Sequence, residues 1–175
     1  AGSGTLAMEM AIANVSKPGD SALVCSNGFF GDRYVDICRR RGLQVDVISA
    51  PWGKSVTPED VEGKLSKKKY DIVTATHVET STGVMAPIAE IGKITKEHDA
   101  LFVVDGVAAT GGAEEYLDTM GIDVLISCSQ KAFGVAPGLA LLWASKKALD
   151  KRKSLGTIVD SYMDFEKWLP VMEDP

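Results

Sequence analysis

The chain has 175 residues, 45% of them hydrophobic and 25% charged, with a net charge of −5 and a pI near 5.1. That composition belongs to an ordinary soluble α/β domain with material for one substantial core. The mild acidity offers no electrostatic reason to expect nucleic acid or a membrane surface as partner, and no apolar run approaches the roughly 20 residues that cross a bilayer.

In chain order, a helical pattern over residues 5–15 follows the loop Gly2-Ser3-Gly4-Thr5. A strand-length apolar run at 21–26 comes next, then a helix at 31–41 and a second run at 44–48. Thr57 before Pro58 supplies an N-cap and N1 pair for a helix at 58–67. A run at 71–76 leads to a helix opened by Pro87 at 87–98, and a run at 101–105 leads to a helix at 113–120. Runs at 123–127 and 139–143 and a helix at 146–153 complete the series, and 164–168 reads as the start of a linker or helix. The runs are continuously apolar, as in Leu101-Phe102-Val103-Val104, which is the pattern of strands buried on both faces of a parallel sheet.

A βαβα order with right-handed crossovers predicts an α/β fold, a three-layer α/β/α sandwich with a mostly parallel sheet. The stretch from Cys128 to Gly138 holds Gly134, Pro137 and Gly138 and is too short for a packed helical crossover. The last strand is therefore expected to be antiparallel to its neighbour. Residues 1–155 are read as one domain and 156–175 as a linker leading out of it. Because the chain opens without an initiator Met and stops abruptly at Pro175, it reads as a piece of a longer protein. Cys25, Cys38 and Cys128 are odd in number, widely spaced and without a CxxC pair. They are expected to be free thiols in a reducing compartment, and the protein to be cytoplasmic.

Sheets of this kind bind ligands at the carboxyl ends of their strands. Four loops there carry chemistry. Gly2-Ser3-Gly4-Thr5 combines glycines, hydroxyls and a helix amino end, a set suited to phosphate, although a plain N-terminal cap has the same composition. It is neither GxGxxG nor a P-loop. Asp105 closes a buried strand, as a structural acid or helix N-cap would too. The loop His77-Val78-Glu79-Thr80-Ser81-Thr82-Gly83 is rich in donors and acceptors, and His77 and Glu79 read as its stabilisers. Lys131 arrives directly after a buried strand among small polar residues, unlike the solvated run Lys67-Lys68-Lys69. There such a lysine can act as an imine-forming nucleophile. No HExxH and no Cys/His cluster at metal spacing is present. Taken together, a phosphate cradle, an acid and a lysine at one sheet edge match the needs of pyridoxal 5′-phosphate (PLP).

Five segments in the same order also resemble the class V aminotransferases of PLP fold type I, and within them the alanine–glyoxylate, serine–glyoxylate and serine–pyruvate transaminases. They are Ser3-Gly4-Thr5 with Met8-Glu9, Asn27-Gly28-Phe29-Phe30-Gly31-Asp32-Arg33, Glu79-Thr80-Ser81-Thr82-Gly83-Val84, Val104-Asp105-Gly106-Val107-Ala108, and Ser129-Gln130-Lys131-Ala132. The resemblance runs from Ser3 to about Trp168. It implies that Ser3, Gly4 and Thr5 bind the phosphate, with Gln130 contacting it. Phe30 would stack on the pyridine ring, Val107 would pack on the opposite face, and Thr80 would hydrogen-bond near the ring hydroxyl. Asp105 would hold the ring nitrogen. Lys131 would be the Schiff-base lysine and the catalytic base.

The family topology implies a seven-stranded sheet whose first strand, leading into Ser3, is missing here. It also implies a homodimer with active sites at the interface. A substrate-binding arginine in a small C-terminal domain and partner-subunit groups at the phosphate would lie beyond Pro175. The expected activity is transamination of a small L-amino acid, alanine or serine, with a 2-oxo acid such as glyoxylate or pyruvate. The alternatives are an aspartate or aminoethylphosphonate transaminase, a cysteine desulfurase, or a non-catalytic nucleotide-binding or scaffold domain. Desulfurases carry histidines where this chain has Phe30 and Gln130.

Overall fold

The computed structural model describes residues 1–173. Helix α1 (Gly4–Val15) precedes strand β1 (Ser21–Ser26), helix α2 (Phe29–Arg40), strand β2 (Gln44–Ser49) and helix α3 (Pro58–Leu65). Strand β3 (Ile72–Thr76) follows, with a two-residue hairpin of β4 (Val78–Glu79) and β5 (Val84–Met85) and then helix α4 (Ile88–Glu97). Strands β6 (Leu101–Asp105), β7 (Val124–Cys128) and β8 (Ala140–Ala144) lead to helices α5 (Lys146–Ser154) and α6 (Phe165–Glu173).

Six strands form one sheet in the order β2-β1-β3-β6-β7-β8. Five run parallel and only β8 is antiparallel, pairing with β7 from Val124↔Ala144 to Cys128↔Ala140. The expected antiparallel last strand is thus present. Alternation along each strand divides the core in two. Ala22, Val24, Val103, Val124 and Ile126 face α1, α2 and α5, packing with Met8, Ile12, Tyr34 and Ala148. Leu23, Val73, Phe102, Val104 and Leu125 face α3 and α4, packing with Val61, Leu65, Ile88 and Ile91. Each of these large apolar side chains contributes about 1.5–3 kcal/mol on burial. The edge strand β2 is only half-buried, because it has a single neighbour.

Local signals explain several boundaries. At α3, Thr57 Oγ1 accepts from Asp60 N while the Asp60 carboxylate accepts from Thr57 N, a reciprocal capping box with Pro58 at N1. Pro87 stands one position outside α4, as its N-cap. The helix expected at 113–120 is absent, and irregular backbone followed by turns occupies that stretch. Gly111 and Gly121, at φ 86° and 65°, break the chain on either side. Between them Glu115 is drawn into the interior to meet His77 Nδ1 at 2.7 Å. Tertiary pairing there overrides a helix-compatible composition.

The segment after α5 docks on the domain. Asn14, fully buried in α1, donates to Met163 O at 2.8 Å and accepts from Phe165 N at 2.8 Å. Arg152 makes a two-pronged ion pair with Asp164, both bonds 2.8 Å long, and the two side chains are 1% and 7% exposed. Removing one partner leaves the other charge buried and uncompensated. Asp164→Ala should therefore destabilise the domain by about 3–5 kcal/mol in chemical denaturation, with α6 released first in hydrogen exchange.

Candidate active site

The carboxyl ends of β1, β3, β6 and β7 lie along one edge of the sheet, and the amino ends of α1 and α2 meet them there. In β6, Asp105 is paired in register with Thr76 on one side and Ile126 on the other. Its side chain is therefore held in the middle of the sheet edge, 2% exposed. One hydrogen bond reaches it among the described residues, from Val107 N to Oδ1 at 2.8 Å. Burial is the main cause that raises its pKa, to about 6, with the charges of Glu79 and Glu115 adding to the rise. The Val107 N–H and the Arg33 cation oppose it.

The amino end of α1 sits directly against this acid. Ser3 is the N-cap residue by position, yet its side chain makes no capping bond. The free N–H groups and hydroxyls of the first turn are thus available to an anion. Gly4 must be glycine for this approach: a Cβ there would stand 2.8 Å from Val107 Cγ2. Thr5 accepts a hydrogen bond from Arg33 Nη1.

The amino end of α2 is closed instead. Glu79, fully buried, accepts from Phe30 N at 3.0 Å, Gly31 N at 3.2 Å, and Ser81 N and Oγ at 3.0 and 2.8 Å. Gly28, at φ 154°, permits the contact, since a Cβ would lie 2.8 Å from Glu79 Cγ. This fixes Phe30 in the first turn of α2, half-buried, with its ring 5.3 Å from that of Phe29. His77 and Glu79 both act as loop stabilisers, as their sequence context suggests.

Gln130 and Lys131 are exposed in the turn after β7. The turn is stapled by Ser129, whose Oγ donates to Ala136 O at 2.8 Å and accepts from Leu139 N at 3.3 Å. Cys128 links the pieces. Its thiol is buried and lies within electrostatic reach of both Lys131 and Asp105. Desolvation is the larger influence and raises its pKa. Ser3, Gly4, Thr5, Phe30, Asp105, Val107, Gln130 and Lys131 are thereby gathered at one edge. Thr80 is exposed on the turn of the β4–β5 hairpin beside them. All three cysteines are free and buried, and no group of metal ligands occurs among the described residues.

The donor set suits a particular kind of ligand. An uncapped helix end takes an anion, a buried acid with one occupied oxygen takes a cationic N–H, and an exposed lysine takes a carbonyl. PLP has all three groups. Sequence reasoning about strand ends missed Arg33 and the thiol of Cys128; the motif that holds Arg33 carried the only available signal.

The family model "Aminotransferase class-V" matches residues 1–168. The L-aspartate–glyoxylate aminotransferase of Paracoccus denitrificans is 40% identical over 84% of this chain and 38% of its own length. The alanine–glyoxylate aminotransferase of Callithrix jacchus is also 40% identical, over 96% of this chain and 41% of its own length. The crystal structure of an alanine–glyoxylate aminotransferase from Nostoc sp. superimposes with a TM-score of 0.91 at 38% identity, covering 94% of this chain and 44% of that one. The chain belongs to the class V aminotransferases and has their fold type I architecture, and it spans less than half the length of these relatives. No helix among the described residues is long and apolar enough to cross a membrane.

The raised pKa of Asp105 has a consequence for stability. Between about pH 4 and pH 6 the folded protein holds a proton on Asp105 that the unfolded chain has released, so this group makes stability fall as pH rises through that window. Above about pH 6 the penalty is constant. In protein free of small ligands, Asp105→Asn should therefore raise stability at pH 7.5 by about 1–3 kcal/mol. The gain should vanish near pH 4, as read by urea denaturation at the two pH values.

Proposed function

We propose that the intact protein is a PLP-dependent transaminase that passes the amino group of a small L-amino acid, alanine or serine, to a 2-oxo acid such as glyoxylate or pyruvate. We propose further that it works as a homodimer. The observation that carries this reading is Asp105: a carboxylate held out of water with one oxygen uncommitted, beside the open amino end of α1. A buried acid of that kind is matched to a protonated ring nitrogen. When bound, PLP supplies an aldehyde that condenses with amines and a pyridinium ring that takes up the electrons of a Cα–H bond.

The chain's own residues divide the remaining work. Ser3, Gly4 and Thr5 hold the phosphate with N–H and O–H donors, aided by Gln130, so the ligand's charge sits at the positive end of α1. Phe30 and Val107 clamp the ring from its two faces. Thr80 supplies a hydroxyl near the ring oxygen. Lys131 anchors the cofactor through Nζ and, once displaced by a substrate amine, takes the proton from the substrate Cα.

Aspartate as donor is favoured by one observation, the Paracoccus relative named for that substrate at the same 40% identity. A desulfurase is not. It needs a mobile thiolate, and none of the cysteines in this chain offers one: burial pushes the thiols of Cys25 and Cys38 up to about 12 and raises that of Cys128.

Borohydride treatment of the intact protein loaded with PLP should fix the cofactor on the peptide that contains Lys131. Lys131→Ala should bind PLP only reversibly, with turnover lower by several orders of magnitude. A reduced adduct on another lysine would remove Lys131 from its role.

Donor choice is read by stopped-flow absorbance. L-alanine or L-serine should bleach the band of the loaded protein, and glyoxylate or pyruvate should restore it. Bleaching by L-aspartate alone would move the assignment to an aspartate transaminase. Release of sulfide from cysteine, with no bleaching by any of these donors, would replace transamination altogether.

A further inference from the structure

Arg33 has surroundings that the reading above leaves unused. It lies in the second turn of α2 and reaches back toward α1, where Nη1 donates to Thr5 Oγ1. Its guanidinium carbon stands 4.8 Å from the centroid of the Phe30 ring and 5.0 Å from that of Phe29. It is half-buried, and no carboxylate among the described residues lies within ion-pair distance of it. Three of the other four arginines do find carboxylates: Arg40 pairs with Asp36, Arg41 with Asp160 and Arg152 with Asp164, while Arg39 forms no ion pair among the described residues. The Arg33 cation is instead committed to one hydroxyl and two aromatic rings.

The bond to Thr5 has a direction. A threonine hydroxyl has one hydrogen to give and lone pairs to receive. With Oγ1 receiving the Arg33 N–H, the Thr5 hydrogen is left to be donated, and the first turn of α1 offers it where an anion would bind. The same planar cation lies over the Phe30 ring, so two parts of the site separated by 25 positions in sequence rest on one side chain. Lysine could not do both, since it is a point charge without a flat fork.

We propose that Arg33 is a positioning residue of the cofactor site: it sets the Thr5 hydroxyl as a donor to the phosphate and holds the Phe30 ring in place to receive the pyridine. This rests on the reading that the site takes PLP. Both contacts are made within the chain itself, so their effect belongs to affinity and to the geometry of the bound ring.

The test is equilibrium binding of PLP to the intact protein freed of cofactor, followed by absorbance and by the circular dichroism of the bound cofactor. R33Q should weaken binding about tenfold to a hundredfold, the range for loss of a charge-assisted hydrogen bond, and should reduce the dichroism of the fraction bound. R33K should fall between wild type and R33Q. T5V alone should weaken binding, and T5V added to R33Q should cost less than T5V costs in wild type, because part of the Arg33 effect runs through the Thr5 hydroxyl. Should R33Q fail to fold, R33K and its combination with T5V carry the same comparison. Wild-type affinity and dichroism in a folded R33Q, or effects of R33Q and T5V that multiply independently, would overturn the role of Arg33. Failure of the wild type to bind PLP would overturn the cofactor reading itself, and the proposal with it.

Discussion

A single carboxylate, withdrawn from water at the centre of a sheet edge, is the constraint on which the rest of this site depends. Asp105 is held there by strand pairing on both sides, which leaves it no freedom to turn outward. One backbone N–H is a weak return for the hydration lost, and the raised pKa is the measure of that deficit. The strands can support it because their apolar side chains are buried on both faces, each worth about 1.5–3 kcal/mol. A domain with two filled helix layers thus tolerates an under-solvated acid that a thinner one could not, and the acid stays poised for a cationic partner.

The two helix ends beside Asp105 show how the chain separates structure from binding. Both present free N–H groups and the positive end of a dipole. At α2 that demand is met internally by Glu79, whose oxygens are taken up by backbone and hydroxyl donors. At α1 the Ser3 side chain leaves it open. This edge of the sheet therefore presents one occupied helix end and one open one. Glu79 serves twice, since its closure of α2 also fixes Phe30 against the site. A positive end left open at α1 and a negative charge left under-solvated at Asp105 give the site a polarity along its length, matched to a ligand that is anionic at one end and cationic at the other.

Much of this was legible in the chain itself. Continuous apolar runs identified the six strands of the main sheet, and the glycine- and proline-bearing stretch after Cys128 revealed the antiparallel one. Asp105 and Lys131 stood out because strand ends are where such sheets bind ligands. What stayed hidden depends on partners distant in sequence. Residues 113–120 have a composition a helix accepts, and only the approach of His77 to Glu115, 38 positions apart, requires another backbone path. The β4–β5 hairpin is two residues a side, too short to show a period. α6 carries Pro170 within it, a local signal against the helix that docking through Asn14 and Arg152 outweighs. Arg33 and Glu79 look like ordinary charged residues of a helix and a loop until the fold brings them 28 and 49 positions across to Thr5 and Phe30.

The same geometry explains why these residues say more about reaction class than about the amino donor. On the proposed reading Asp105 would address a ring nitrogen, the α1 end a phosphate, and Lys131 the proton on Cα. The first two of those groups belong to the cofactor, and the third is common to all amino acids that it handles. A donor's identity lies in its side chain, which points away from the ring and the phosphate. Residues that recognise only the shared atoms feel no pressure to differ between an alanine and an aspartate enzyme. That is consistent with equal 40% identity to relatives named for each. Selectivity has to come from groups that meet the side chain, and within this chain the exposed turn around Gln130 and the hairpin turn at Thr80 are the parts of the site open enough to share a wall with them.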